Sequence, residues 1–411
     1  MKNAFCALLA LLALVPASLR AHDEKGEFAV RAGKVLVMDE KDTVLNNVVI
    51  FVKNAKIAAI VPDTPGAIPE GMETYDCRDR WIVPGMIDSH DHVAGALMDL
   101  NDGVFLTNPG LRTLDMVSPE NPDVKRAIAA GVTTVLLIPG SGNNSSGFGT
   151  LTRTAGATHE EVIVKYPGSI KIAQAGNPER WWFQPQRQYM NFNLRQTLTK
   201  AKAYWQAWKA WEADKTKPQP KFSPAFHPFI GLFDKDFVCS VHTQMFQVFS
   251  MTITMLHDEF GLAVMPDHSD FDDYKATSLA VERDIPVICG PRIWWMDGRD
   301  GTVNGACAGH WKGGLRKVGV NTDAPVVPQE DLSVQAAMNV RYGWETYAAI
   351  AGLTRVPAQA MKIYDRVGSI EAGKDADFCA WSGNPIDSRS FVEYTWVLGK
   401  KAYDANVERR Y

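Results

Sequence analysis

The sequence predicts an α/β protein, a (β/α)8 TIM barrel with a small β-sandwich domain beside it. Two observations carry this prediction. Between residues 85 and 365, strand-like and helix-like segments alternate, which is typical of a parallel sheet with crossover helices. The segments before and after that region are short strand-like runs separated by turns, and neither end alone is large enough for a good β core.

The central region holds eight strand-like segments. They are VPGMIDSH, GVTTVLLIPG, EVIVKYP, SIKIAQAG, FVCSVHT, LAVMPDH, IPVICGP and KVGVNTDAP. Helical candidates include PDVKRAIAAG, QMFQVFSMTITMLHDEFG and SVQAAMNVRYGWETYAAIAG. Eight strands fit a barrel, for which about 250 residues is typical. An open doubly wound sheet is the alternative, but no glycine-rich fingerprint follows the first strand.

The two chain ends share a pattern of hairpin strands. FAVRAGKVLVM, NVVIFVKN and KIAAIV lie near the N-terminus, and VGSIEAGKDADFCAWSG and FVEYTWVLGKKAYD lie near the C-terminus. We therefore expect residues 22–84 and 366–411 to form the β-sandwich together, and residues 85–365 to form the barrel.

Residues 1–21 have the features of a secretory signal peptide. Lys2 is followed by an uncharged, apolar run from Ala4 to Ser18, and small residues lead up to Ala21. No later apolar segment is long enough to span a membrane. The mature chain is therefore expected to be soluble and exported, to the periplasm or the outside of the cell.

Composition excludes several classes of protein. A net charge of −4 without a long basic block gives no reason to expect nucleic acid as a partner. Removal of the signal peptide leaves five cysteines, an odd number that does not suit a disulfide scaffold. The oligomeric state stays open, and a homo-oligomer is compatible with the sequence.

An aromatic stripe lies in the segment Trp181 to Lys221, which exceeds what a barrel needs. Trp205, Trp208 and Trp211 recur at threes along a helical run and share one face. Packing against the barrel wall is the favoured interpretation, and a roof over a substrate cleft is the alternative.

Histidines and one aspartate end several of the predicted strands, where functional residues of such a barrel lie. His90 and His92 end the first strand, and residues two apart on a strand point the same way. His242 ends FVCSVH, His268 ends LAVMPDH, and Asp323 ends the last strand. Imidazole and carboxylate ligands suit zinc and its neighbours, so these residues predict a metal site. A lone histidine at a strand end would more often be structural.

The chain resembles the amidohydrolase superfamily, closest to its imidazolonepropionase-like and prolidase-like branch. The motifs that carry the resemblance are PGMIDSHDH at 84–92, GVTTVLLIPGS at 131–141, VHTQ at 241–244, NTDAPV at 321–326 and VGSIEAGKDADFCAW at 367–381. The resemblance implies a distorted (β/α)8 barrel with a flanking β-sandwich, a mono- or dinuclear metal site, and hydrolysis of amide or other C–N bonds in a small-molecule substrate.

The resemblance also implies the ligands. It assigns His90, His92, His242, His268 and Asp323 to the metal, which we expect to be one or two zinc ions. Dinuclear members carry a carbamylated lysine on the fourth strand, and Lys171 in SIKIAQAG is the match. A carbamate would remove the cost of a buried ammonium group. A Lys171 that faces solvent or pairs with a carboxylate is the alternative, and it would leave one metal.

The implied mechanism uses a metal to lower the pKa of water towards about 7. Asp323 acts as general base towards that water and then as general acid towards the leaving nitrogen. Arg292, after the seventh strand, is a candidate for binding a substrate carboxylate, and a structural salt bridge is the alternative. Hydrolysis of esters, lactones or phosphoesters, and a catalytically inactive binding protein, are the competing functions.

Two further acids adjoin the predicted ligands. Asp91 lies between His90 and His92, and Asp267 precedes His268. Either carboxylate can orient a ligand imidazole, or point away from the site, because neighbours on a strand alternate in direction.

Overall fold

The computed structural model describes residues 27–95, 100–181 and 184–409. The predicted signal peptide, residues 1–21, lies outside the described residues and stays a prediction. Among the helices of the described ranges, none is long and apolar enough to cross a membrane.

The two ends of the chain pair in one seven-stranded sheet. In spatial order its strands are β17 (Lys400–Asp404), β16 (Val392–Val397), β15 (Phe378–Trp381), β4 (Glu73–Pro84), β1 (Phe28–Leu36), β2 (Val44–Lys53) and β3 (Lys56–Pro62). β4 lies in the middle, parallel to β1 and antiparallel to β15. An apolar cluster that includes Ile50, Ile82, Phe378 and Trp396 is buried here. The sandwich arrangement and the domain boundaries 22–84, 85–365 and 366–411 stay predictions.

A second sheet forms half of a TIM-barrel-type fold. Its six strands follow the chain: β5 (Met86–Asp91), β6 (Val132–Leu137), β7 (Ser145–Arg153), β8 (Ile163–Ala173), β9 (Val238–His242) and β10 (Val264–Asp267). β11 (Val287–Cys289) pairs in parallel with β14 (Val318–Val320). Backbone hydrogen bonds reach this pair from both sides, from the Ser269 N–H to Ile288 O (3.1 Å) and from the His92 N–H to Ala324 O (3.0 Å).

One part of the predicted strand order is wrong. EVIVKYP and SIKIAQAG were expected as two strands, but residues 163–173 form the single strand β8. The neighbouring place in the sheet belongs to β7, which is antiparallel to both β6 and β8. β7 was not predicted, because SSGFGTLTR lacks the apolar alternation or β-branched run of a strand, although all nine of its residues are buried.

The helices lie between and after these strands. The described residues contain α1 (Pro122–Ala129), α2 (His159–Val162), α3 (Asn177–Trp181), α4 (Arg187–Ala213), α5 (Phe229–Phe233), α6 (Phe246–Met251), α7 (Thr277–Glu282), α8 (Ala306–Lys312), α9 (Leu332–Arg341), α10 (Thr346–Ala351) and α11 (Arg355–Ala360). A π-helical segment, Thr252–Glu259, continues α6. The three predicted helical runs are confirmed as α1, as α6 with its π-helical extension, and as α9 with α10. A short hairpin of β12 (Trp294–Met296) and β13 (Val303–Gly305) follows β11.

The aromatic stripe of α4 packs against neighbouring protein. The Trp205 ring stacks on Phe233 of α5, with 5.5 Å between ring centroids, and its Nε1–H donates to Asp234. Trp208 is buried and its ring lies 5.3 Å from the His227 ring. These contacts match the structural interpretation of the stripe rather than a roof over the site.

A buried ion cluster joins the two sheets. Arg153, at the end of β7, donates to Asp375 and, at 3.2 Å, to Asp377, and all three side chains are almost fully buried. Both aspartates lie just before β15 of the seven-stranded sheet. A buried cation is tolerated here because two carboxylates and their hydrogen bonds compensate it.

Candidate metal centre

Asp323 is the centre of a group of side chains at the carboxyl ends of the strands. Its Oδ1 atom lies 3.0 Å from Nε2 of His92, 3.4 Å from Nε2 of His90 and 4.0 Å from Nε2 of His268. Ligand atoms of His90, His268 and Asp323 all lie within 4.8 Å of one another. This spacing allows one metal ion to contact all three residues.

Hydrogen bonds on the far side of the rings fix which nitrogens face this centre. His92 Nδ1 lies 2.7 Å from the Ile138 carbonyl oxygen, and His268 Nδ1 lies 2.8 Å from that of Gly290. A carbonyl oxygen only accepts, so each Nδ1 carries a hydrogen, and the neutral form of each ring has its lone pair on Nε2. The lone pairs therefore point towards Asp323, as metal ligation requires.

His90 is held by a carboxylate in place of a carbonyl. Its Nδ1 atom lies 2.5 Å from Oδ2 of Asp267, which also accepts from the Ser240 hydroxyl at 2.8 Å. The other oxygen of Asp267 accepts from the Asn321 side-chain amide. Asp267 thus points inwards and orients a candidate ligand, which was one of the two roles open to it.

Asp91 has the opposite orientation. Its carboxylate accepts the backbone N–H groups of Val93 and Ala94, at 3.0 and 2.9 Å, and the Gln329 amide at 3.1 Å. It therefore holds the turn that follows β5 and takes no part in the cluster around Asp323.

His242 ends β9 and lies beside His268, with 4.8 Å between the two ring centroids. Its Nδ1 atom is buried and has no hydrogen-bond partner among the described residues. A Cβ atom on Gly176 would come within 3.3 Å of His242 Nε2, so this glycine leaves the second nitrogen accessible. In a core histidine with a purely structural role, both ring nitrogens would have hydrogen-bond partners, and His242 does not fit that description.

Lys171 is fully buried on β8, with its Nζ atom 3.3 Å from Nε2 and 3.5 Å from Nδ1 of His90. No carboxylate of the described residues forms a salt bridge with it. Burial lowers the pKa of the Lys171 amine. Neither of the alternatives for Lys171, exposure to solvent or pairing with a carboxylate, is what the structure contains.

Burial also decides the protonation of the imidazoles. It lowers the pKa of His90 and of His242 well below the ordinary value, and it lowers the pKa of His268 to about 4. These rings are therefore neutral at pH 7, which is the form that binds a metal. Neutral imidazoles with a carboxylate are a donor set that fits zinc and related ions.

Arg292 lies in the loop between β11 and β12, two residues after Gly290, whose carbonyl oxygen contacts His268. Its backbone N–H donates to the buried Asp270 at 3.3 Å, and its guanidinium stacks 5.1 Å from the Phe271 ring. Phe271 also contacts Trp295, with 4.7 Å between ring centroids. The described residues offer the guanidinium no salt bridge, so the structural alternative for Arg292 is not seen.

Three buried polar residues near the cluster were not predicted to have a role: Asp88, Thr322 and Gln329. Asp88 accepts hydrogen bonds from Thr322 and from the His90 backbone. One signal was present, since an acid two residues before His90 in a buried strand requires partners.

Comparisons with known proteins agree with this architecture. Residues 311–402 match the model of the amidohydrolase family. An imidazolonepropionase from Mesorhizobium japonicum is 25% identical, over 84% of this chain and 87% of that protein. An amidohydrolase structure from Thermotoga maritima superposes with a TM-score of 0.80 and 26% identity, over 92% of this chain and all of that one.

The chain belongs to the amidohydrolase superfamily.

The chain is also similar to two further proteins. The amidohydrolase tasK of Hapsidospora irregularis is 22% identical over 87% of this chain, but this chain spans only 40% of the length of that protein. A Xaa-Pro dipeptidase solved with bound methionine has a TM-score of 0.57 at 18% identity, which is a likeness of fold alone. The superfamily and its imidazolonepropionase-like branch, expected from the sequence motifs, are thus confirmed, and the protein is a hydrolase.

Proposed function

We propose that this protein is a metal-dependent amidohydrolase that cleaves an amide or other C–N bond of a small molecule. The observation that carries the proposal is the set of buried imidazoles whose Nε2 atoms face Oδ1 of Asp323. Acceptor atoms that face one another in a buried cluster are costly for the fold unless a cation lies between them.

The metal would be held by His90, His92, His242, His268 and Asp323. Lys171, if carbamylated, would be a further ligand beside His90, and the ion or ion pair would be zinc or a close neighbour. When bound, such a metal supplies Lewis acidity and a water of lowered pKa.

Asp323 has a catalytic role in this proposal. Its carboxylate accepts the proton of the attacking water, and the same oxygen returns that proton to the leaving nitrogen as the C–N bond breaks. The Nε2 atoms of His92 and His90 lie 3.0 and 3.4 Å from Oδ1, so a cation bound by these nitrogens would also contact the carboxylate. Their own rings are fixed by Ile138 and Asp267.

The substrate is proposed to carry a carboxylate that pairs with Arg292. The guanidinium has no salt bridge among the described residues, and Phe271 and Trp295 offer an aromatic surface next to it. A bidentate pair of arginine with carboxylate suits an N-acyl amino acid, a dipeptide or the ring-opening of a cyclic amide. Arg292→Met is then expected to raise KM about tenfold or more, with kcat less affected.

Replacement of Asp323 tests the proposed reaction. Asp323→Asn keeps the size of the side chain but removes the base, so kcat is expected to fall about 10²-fold or more while much of the metal is retained. Asp115→Asn, on an exposed carboxylate away from the site, is the matched control. Unchanged turnover of Asp323→Asn on dipeptides, N-acyl amino acids or hydantoins would remove this role.

Two further parts of the proposal concern alternatives and location. Esters, lactones and phosphoesters in the same screen distinguish the competing hydrolase functions, and full metal loading without turnover on any of them would favour a binding protein.

Export to the periplasm or beyond rests on residues 1–21. Cell fractionation of the full-length chain tests that location.

A further inference from the structure

We propose that Asp88 and Thr322 form a latch that positions Asp323 and so sets the geometry of the candidate metal centre. The inference rests on the proposed function for its catalytic consequence, but its effect on metal affinity can be measured separately. Neither residue contacts the point where the three Nε2 atoms and Asp323 converge.

Asp323 needs support because its backbone is unusual. It has a φ of +52°, in the left-handed region that non-glycine residues seldom adopt. Such a conformation costs free energy and persists only where neighbouring interactions hold it. The residues on both sides of Asp323, Thr322 and Ala324, are fully buried, so hydrogen bonds within the protein must supply that support.

Those hydrogen bonds form a directed chain around Asp323. The Ala324 N–H donates to the Thr322 hydroxyl oxygen at 3.1 Å. That hydroxyl therefore uses its own hydrogen for the Asp88 carboxylate, to which the Thr322 N–H also donates at 3.3 Å. Both neighbours of Asp323 are thus tied to one carboxylate.

Asp88 is itself anchored to the strand that carries His90. It lies on β5, and its Oδ1 accepts the N–H of His90 at 3.2 Å. Gln329, buried behind it, donates to Asp88 at 3.5 Å and to Asp91 at 3.1 Å. A single carboxyl group therefore links the neighbours of Asp323 to the backbone of His90, which explains why an acidic residue occurs in this buried strand.

The latch is tested by replacing its hydroxyl group. Thr322→Val keeps the shape of the side chain but breaks the chain of hydrogen bonds, and Thr322→Ser keeps it. We expect Thr322→Val to raise the Kd for Zn²⁺, measured by chelator competition, by about tenfold or more, as loss of such supporting bonds does in metal sites. We also expect kcat to fall about tenfold while KM changes less than about threefold, and Thr322→Ser to restore both.

Thr354→Val is the matched control, because it removes another fully buried hydroxyl that donates to a backbone carbonyl, that of Ile350 at 2.8 Å. If Thr322→Val has the thermal stability of Thr354→Val and an unchanged zinc Kd, the latch is wrong. Gln329→Met provides a milder variant should Thr322→Val not fold, and a zinc Kd unchanged in Gln329→Met would likewise contradict the latch. Absence of hydrolysis by the wild-type protein would instead contradict the proposed function. The latch is tested separately, because the zinc Kd can be measured without any hydrolysis.

Discussion

His242 is the candidate ligand with the fewest protein partners. Its Nδ1 atom is buried without a hydrogen bond from the described residues, and burial keeps the pKa of the ring well below 6.5. An imidazole of this kind makes folding sensitive to acid. Between its folded and unfolded pKa values, the unfolded chain binds a proton that the folded chain does not bind.

The sign of the effect follows directly. The folded pKa of His242 is depressed, so its contribution to stability is lost as pH falls below the unfolded value of about 6.5. In metal-free protein, we expect the free energy of unfolding of the wild type to fall more steeply with acid than that of His242→Asn, by up to about 1.4 kcal/mol per pH unit. Urea unfolding between pH 7 and pH 5 measures both slopes, with His159→Asn as control. Equal slopes for wild type and His242→Asn would contradict a buried, neutral His242.

Individual site residues could be predicted from the sequence only where a residue type that binds metals ends a predicted strand. His90, His92, His242, His268 and Asp323 were singled out in this way. Their supporting residues were not, because the bond between Asp88 and Thr322 joins positions 234 residues apart in the chain. Asp267 and Asp91 each lie next to a predicted ligand histidine in the sequence, yet their side chains point in opposite directions. Only the path of the backbone distinguishes them.

At the scale of elements, Gly85 controls the passage between the two sheets. It lies between β4 of the seven-stranded sheet and β5 of the barrel sheet, and its N–H donates to Asp377 O at 3.0 Å. A Cβ atom at this position would lie 2.0 Å from the Thr133 hydroxyl oxygen and 2.7 Å from its Cβ. Since Thr133 is buried on β6, that strand would have to move away from Gly85 to make room for the added atom.

Gly85→Ala is therefore expected to destabilise the protein by about 1–3 kcal/mol, the usual cost of overpacking. Gly103→Ala is the matched control, because no atom of the described residues beyond its two chain neighbours lies within 4 Å of the added Cβ. We expect it to change stability by less than about 0.5 kcal/mol. The midpoints of urea unfolding compare the two variants. A midpoint for Gly85→Ala equal to that of Gly103→Ala would show that the crossing tolerates a side chain.

Most elements, but not all, followed from sequence pattern. Strands with continuous apolar runs, such as β6 and β9, are confirmed because their residues are buried on both faces. β7 was missed because it is built from serine, glycine and threonine, whose burial depends on close packing between β6 and β8 and not on hydrophobicity. The two segments predicted in place of β8 lie on either side of Gly168, which follows Pro167, yet the strand continues through both residues.

At the scale of the whole molecule, Arg153 links the barrel sheet to the seven-stranded sheet through Asp375 and Asp377. Arg153→Met leaves the buried Asp377 without a salt bridge from the described residues, while Lys56 and Arg366 still contact Asp375. Because a buried carboxylate loses its cation, we expect the variant to destabilise the protein by about 3–5 kcal/mol. Arg112→Met removes the exposed pair with Asp115 and should cost less than about 1 kcal/mol. Thermal unfolding of both variants tests this difference, and a similar loss in each would show that the buried cluster does not join the sheets.

The central claim is that the site at the strand ends binds a metal and uses it to hydrolyse a C–N bond. The most direct measurement follows hydrolysis of dipeptides, N-acyl amino acids and hydantoins by one preparation, before metal removal, after chelation and during titration with Zn²⁺. The account predicts that activity disappears on chelation and returns in proportion to bound zinc, up to about one or two ions per chain. Hydrolysis that persists in protein shown by mass spectrometry to hold no metal would contradict it.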